Sequence, residues 1–372
     1  MGLDKALIVT CYPEGTKLRR TELESLEALK KMPGFESTVL NTARFGFPGR
    51  SLSKRWTLPT KLLRTRFDVV FFHYSFLGQR TWGPLFYRFR EHWSVLASLR
   101  GTKVAFPQDE AAFAQVLDDW LTDLGVDLVG SVHFEKNQDI LYQKTSASAQ
   151  FFSVLPGYLR GRKANWEFFR PPADRQWDVV YAAQRLPFWV GGHGQLKARL
   201  LDSGGDLSPN LRTSFESSPM KGKDWLEFLA NSRTTLGCEG GYSAFDPYGA
   251  VRAMAEWYSR ETGELGTFDE FSLTMPPRWD AYQFKTITPR ILEAASLGVV
   301  QVLIEGDYSG LLTPGKDYVP VRKDLADLAD AVALALSPDS AAKLRNASYR
   351  NLVESGQYTW EQFQKRCLSF LR

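Results

Sequence analysis

The stretch that decides the fold is Thr286 to Pro320, TITPRILEAASLGVVQVLIEGDYSGLLTPGKDYVP. Thr288-Pro289 sets a capping residue before a proline at the first helical position, a common way for a helix to start. Ile291, Leu292, Ala294, Ala295 and Leu297 supply a short apolar face, and Gly298 ends the turn. Val299 to Ile304 follows as an apolar run broken only by Gln301, so the unit predicts helix, tight turn, buried strand. Glu305-Gly306-Asp307-Tyr308-Ser309-Gly310 comes at the strand's carboxyl end, where open α/β sheets place their ligands. Arg290 and Glu293 stand in the first helical turn beside N–H groups that lack intrahelical acceptors, which predicts an anion and ribose site.

The rest of the chain repeats this alternation. Its 372 residues exceed one ordinary core, so two domains of about 170 residues each are expected. With 44% apolar and 13% aromatic residues, both can bury a core, and long disorder is excluded. A net charge of +4 suits an anionic ligand or membrane surface. No nucleic-acid-binding signature accompanies it, so no nucleic acid partner is expected. Cys11, Cys238 and Cys367 are lone cysteines without zinc or disulfide spacing. The chain enters a strand directly after Lys5, and nothing approaches the roughly 18 apolar residues of a membrane span. A soluble, cytoplasmic protein is the expectation.

Strands are predicted at Ala6–Thr10, Asp68–Tyr74, Lys103–Phe106, Asp127–Val132 and Phe151–Leu155, with helices at Arg20–Lys31 and Ala111–Leu124 between them. This is a mostly parallel Rossmann-like domain. Lys17, Arg19 and Arg20 read either as ligand contacts or as solvated charges at a helix start. His73 ends the second strand, and is either a substrate contact or a histidine bonded within the core. Gln108-Asp109-Glu110 ends the third. Adjacent carboxylates there are costly unless solvated or paired, so they read as a functional pair or as a cap for the helix at Ala111. Gly46 to Arg66 mixes Arg and Lys with Phe47, Trp56 and Leu62. It is either a peripheral membrane contact or a solvated connection.

A break around Arg170-Pro171-Pro172 leads to a second run of strands, Asp178–Ala183 and Ser232–Gly237. The second ends in Cys238-Glu239-Gly240-Gly241, whose glycines would let backbone N–H groups approach a ligand. The predicted organisation is an N-terminal Rossmann-like domain over 1–165, a linker over 166–177, a second over 178–350, and a C-terminal helical segment over 351–372.

The order Pro-Arg-x-x-Glu-Ala, a glycine turn, a strand, Tyr-Ser-Gly and Pro-Gly resembles the donor-binding half of GT-B glycosyltransferases, in particular the spore-maturation-type "glycosyl transferase family 1" group. Gln357-Tyr358-Thr359-Trp360 is similar to that group's His-Thr-Tyr-like helix start. The resemblance implies two Rossmann-like domains facing a cleft, with a C-terminal helix crossing back to the first. It implies transfer of a sugar from a nucleotide-diphosphate donor to an unidentified acceptor. Arg185 and Lys197 would then neutralise the diphosphate, Arg290 and Glu293 would hold phosphate and ribose, and Glu239 would bind sugar hydroxyls. Gly240, Gly241, Tyr308, Ser309 and Gly310 would shape the donor pocket. His73 and Gln108 would lie on the acceptor side, with Asp109 or Glu110 contacting the acceptor or serving as general base. Related retaining enzymes place their two site glutamates close in sequence. Here Glu239 and Glu293 are separated by an insertion from about Phe245 to Lys285. No Asp-x-Asp triplet occurs, so transfer without a metal or other cofactor is expected. The same fold admits a nucleotide-sugar epimerase, a hydrolase or a non-catalytic sugar or nucleotide sensor.

Overall fold

In the computed structural model of the chain, residues 4–13, 15, 18–45, 62, 64–133, 137–218, 220 and 222–371 are described. Lys17 and residues 46–61 of the basic and aromatic stretch lie outside them. The chain divides into two compact units. One comprises Met1–Leu155, Phe245–Ala253 and Gln364–Arg372; the other comprises Pro156–Ala244 and Met254–Phe363.

The first unit is built on β1 (Asp4–Thr10), β2 (Phe35–Asn41), β3 (Val69–Phe72), β4 (Thr102–Ala105), β5 (Leu128–Ser131) and β6 (Gln150–Ser153). They pair in the order β2-β1-β3-β4-β5-β6, every pair parallel. β3 is apolar throughout and buried on both faces, as a covered parallel strand must be. The helix Ala114–Leu124 buries Val116, Leu117, Trp120, Leu121 and Leu124, a helical-period stripe. Trp120 meets the rings of Phe76 at 4.7 Å and Phe86 at 4.9 Å. The C-terminal helix Trp360–Leu371 ends in this unit, with Phe370 stacked on Phe152 and Gln364 Nε2 donating to the Ala28 and Lys31 carbonyls.

The second unit carries β7 (Trp177–Ala182), β8 (Thr213–Glu216), β9 (Ser232–Gly237), β12 (Val300–Ile304) and β13 (Val319–Val321), with the pair β10 (Gly240–Tyr242) and β11 (Phe284–Thr286) apart from them. Their order is β13-β12-β9-β7-β8, again all parallel. Alternate residues of β7 feed two cores: Val179 and Tyr181 join Leu196, Leu200, Leu236 and Val302, while Val180 and Ala182 join Trp225, Leu226, Leu229 and Ala294. Both sheets therefore have the doubly wound order that reverses beside their first strand, and in such sheets the crevice outside the carboxyl ends at the reversal binds the ligand. In the second unit that point lies between β7 and β9.

The insertion is looped out by its own ends. β10 and β11 are antiparallel, with Gly240 opposite Thr286 and Tyr242 opposite Phe284, so the ladder returns the chain to the helix at Pro289. Beyond the ladder, Tyr258 and Phe271 pack with Phe188, Trp189, Met275 and Trp279, bracing the loop after β7. Among the described residues no helix is long and apolar enough to cross a membrane.

Candidate functional site

At the reversal point of the second unit, the helix Pro289–Ser296 starts with Pro289 in its first turn, as expected from its sequence. Its Arg290 guanidinium lies 4.7 Å from the Trp225 ring centroid and donates from Nη1 to the carbonyl of Ala182, the last residue of β7. Glu293, one turn on, accepts from the Trp225 indole Nε1 at 2.8 Å. Trp225 belongs to the helix Lys223–Ala230, whose helical character is legible in sequence, whereas nothing there links the tryptophan with site residues so distant in the chain.

Beyond β9, Glu239 is nearly buried and accepts from the Tyr308 N–H at 2.8 Å. That donor is aimed by three successive left-handed residues, Tyr308, Ser309 and Gly310, with φ of 48°, 57° and 71°. Gly306 is needed beside them, since a Cβ there would stand 2.5 Å from Glu239 Oε2. Burial raises the Glu239 carboxyl, against the opposing pull of the Tyr308 N–H and Lys285. Lys285 is itself lowered by burial and by Lys323. His193 is lowered to about 4, by burial first and then by Lys285 and Lys197, so it is neutral at pH 7. Its Nε2 sits 3.2 Å from the Glu239 carbonyl, an arrangement that places the proton on Nε2. Burial also pushes the Cys238 thiol up to about 11, against Lys197 and Arg290. Lys285 thus acts on Glu239 and His193, Lys197 on His193 and Cys238, and Arg290 on Cys238.

Other expected donor residues have different employment. Arg185 is exposed and makes a two-point ion pair with Asp202, one arm at 3.0 Å. Gly240 and Gly241 form part of the β10–β11 ladder: at Gly241, with φ of 99°, a Cβ would stand 1.9 Å from the Phe284 carbonyl oxygen. Tyr308 does not line a pocket with its ring. The ring is fully buried against Tyr318, and its hydroxyl donates to the Ile304 carbonyl at 2.5 Å. Ser309 Oγ accepts from the Ile287 N–H at 3.2 Å. The first N–H groups of the helix Gly192–Asp202 are taken by Asp280 and Ser243, at 3.1 and 2.9 Å.

In the first unit the loop after β4 presents Asp109, exposed and left-handed with φ of 51°. A non-glycine residue in that region stores strain and needs its surroundings to hold it. The holder is Arg80, which is 1% exposed. Its guanidinium donates to the carbonyls of Leu77, Gln108, Asp109 and Ala112 at 3.1, 3.0, 2.6 and 3.0 Å. On the loop's other side, Asp246 and Pro247 supply carbonyls to the N–H groups of Ala114 and Gln115, at 3.2 and 3.1 Å. Asp246 in turn accepts from the N–H groups of Gly249, Val251 and Arg252. This Phe245–Ala253 excursion was not legible as part of the first unit.

Two acceptor-side expectations are corrected here. Glu110 is fully buried and accepts from Ser131 Oγ at 2.6 Å, from the Val132 N–H at 2.8 Å and from the Tyr142 hydroxyl. Three donors fix it as an internal brace, out of reach of an acceptor. His73 is buried too, with Nε2 2.8 Å from Ser25 Oγ and Nδ1 accepting from the Ser75 N–H at 3.1 Å. It caps the turn Tyr74–Leu77, and burial holds it down to about 3. Ser75 Oγ also receives the Cys11 N–H at 3.2 Å, closing the loops at this sheet's own reversal point. Gln108 lies half-buried, its carbonyl on Arg80. Among the described residues no group of three or more His, Cys, Asp or Glu is arranged to hold a metal ion.

The chain matches no protein-family model and no curated protein in sequence. In three dimensions it is similar to an alpha-glucosyltransferase solved with UDP-glucose and DNA containing an abasic site, at 10% identity over 100% of both chains, TM-score 0.60. It is also similar to HepE of Anabaena, solved with UDP-glucose, at 13% identity over 99% of both chains, TM-score 0.53. A glycosyltransferase from Rickettsia africae matches at 11% identity over 100% of this chain and 98% of its own, TM-score 0.52. At such identities the likeness speaks for architecture, and it is full-length: the chain has the GT-B fold, two parallel-sheet α/β units of the kind these glycosyltransferases share.

Proposed function

We propose that the chain is a glycosyltransferase that takes a sugar from a nucleotide-diphosphate donor bound on the second unit. The observation that carries this reading is Arg290, held at the sheet's reversal point between the Trp225 ring and the end of β7, with Glu293 one turn on and Glu239 buried just beyond β9. Transfer breaks the bond between the anomeric carbon and the diphosphate oxygen and forms one to an acceptor oxygen, whose proton goes to a base. Charge builds on the departing diphosphate, and cations already in place stabilise it without reorganising. Arg290 and Lys197 fill that role. Arg185 joins them at small cost, because an exposed ion pair such as that with Asp202 contributes only about 0–1 kcal/mol. Glu293 holds the ribose and Glu239 the sugar hydroxyls. On the first unit, Asp109 is the candidate for acceptor contact or general base, with Gln108 beside it.

The neighbours solved with UDP or UDP-glucose make a uridine donor the first to test. The alpha-glucosyltransferase solved with DNA means that this fold does not itself exclude a nucleic acid acceptor, whatever the composition suggests. Membership of the spore-maturation-type group, independence from metal, and a cytoplasmic location belong to the same proposal. The test is thermal stabilisation by UDP, ADP, GDP, TDP and their glucose conjugates in EDTA, since a ligand that binds only the folded state raises the melting temperature. A selective shift with one of them is expected. No shift with any, with or without magnesium, overturns the donor site.

A further inference from the structure

We infer that Trp225 is a positioning residue for the donor nucleotide, one indole that orients Arg290 through its face and Glu293 through its N–H. The inference rests on the donor-site reading above and adds to it a residue that no sequence pattern marked. Three contacts carry it. The guanidinium carbon of Arg290 lies 4.7 Å from the ring centroid, with Nη1 on the Ala182 carbonyl, so the cation is held between the indole and the end of β7. The indole Nε1 donates to Glu293 Oε2 at 2.8 Å. The ring itself is 9% exposed and wedged among Val180, Ala182, Leu226, Ala294 and Leu297, so it has little freedom to turn.

Arg290 and Glu293 are three residues apart on one helix, and such opposite charges readily collapse onto each other. A tryptophan offers each a separate anchor on one rigid ring. A carboxylate has room for about four donors, so a bond to the indole orients Glu293 without using up its acceptor capacity. Phenylalanine would keep a face for Arg290 and lose the N–H; leucine would lose both. Because tryptophan fills the core as well as orienting the charges, a loss of stability alone says nothing about orientation. The readout must separate ribose from phosphate.

The experiment is calorimetric binding of UDP and of 2′,3′-dideoxy-UDP to the full chain, to Trp225→Phe and to Trp225→Leu, with circular dichroism to confirm folding. In the parent, UDP should bind more tightly than the dideoxy form. Trp225→Phe should weaken UDP about tenfold, roughly 1.4 kcal/mol, and leave the dideoxy form within about twofold, because only the grip on the ribose loosens. Trp225→Leu should weaken both. If it unfolds, the phenylalanine variant alone decides. Equal weakening of the two ligands by Trp225→Phe, or no weakening of either, overturns the inference and leaves the donor site standing. A parent that binds neither ligand overturns both.

Discussion

Removing Arg80 should unfasten the loop that carries Asp109. Its guanidinium is buried and bonds four carbonyls at 2.6–3.1 Å, three of them within Gln108–Ala112. A hydrogen bond to a charged group is worth about 1.5–3 kcal/mol. The four do not add in full, because burying the charge was itself costly and a loosened loop regains water. A net loss of about 3–5 kcal/mol for Arg80→Ala is the expectation. Lysine restores the charge but not the fork, since one ammonium cannot reach four carbonyls fanned around a planar guanidinium. Arg80→Lys should therefore recover less than half. Urea unfolding of both variants measures the loss, and kcat/KM toward the acceptor should fall with it. If Arg80→Ala unfolds within about 1 kcal/mol of the parent, the carbonyls find other donors and the account of a strained, clamped Asp109 fails.

Three further outcomes follow from the geometry. Asp109→Gly relieves a φ of 51° and should leave stability unchanged or raise it by about 0.5–1 kcal/mol, while turnover drops at least about 100-fold if the carboxylate is the base; retained turnover removes that role. Gly306→Ala places a Cβ 2.5 Å from Glu239 Oε2 and so displaces that carboxylate; it should weaken UDP-glucose about tenfold and UDP little, read by calorimetry; equal effects would detach Glu239 from the sugar. All four histidines are held down by burial, His193 to about 4 and His73 to about 3. A histidine lowered in the folded state is protonated first in the unfolded chain, so stability is full above about pH 6.5 and declines as pH falls toward 4 and then 3. Urea midpoints at pH 7, 5 and 4 check the decline, and His73→Asn, which can keep the cap, should flatten it.

How much of this was legible depended on how local each cause is. β3, β7 and β12 were readable because parallel strands buried on both faces are near-continuous apolar runs. β2 and β8, sequences FESTVLN and TSFE, lie at sheet edges with several residues exposed or half-buried, so their apolar signal is diluted and the reading passed over them. The start of the Pro289 helix could be read because cap, proline, Arg290 and Glu293 are consecutive or nearly so. Trp225 could not, since it is brought to them only by the packing of two helices on one sheet face. Glu110 shows the converse hazard. An acid after an apolar strand looked exposed to function, but its donors, Ser131, Val132 and Tyr142, arrive from later in the chain. The long gap between Glu239 and Glu293 gave no sign that the β10–β11 ladder brings the chain back to the Pro289 helix, because that pairing joins residues more than 40 apart.

The first unit is written in three separate pieces of sequence, and that governs how it is made. On the ribosome, Met1–Leu155 emerges long before Asp246 and Pro247 can supply carbonyls to the helix at Ala114, and before Phe370 can cover Phe152. Its consolidation must therefore wait until residues 364–371 have emerged. A fragment ending at Leu155 should expose an uncapped helix end and a bare aromatic face, and so be prone to aggregate. An engineer who exchanges second units between proteins of this architecture would need to graft the short excursion and the terminal helix together with the N-terminal half.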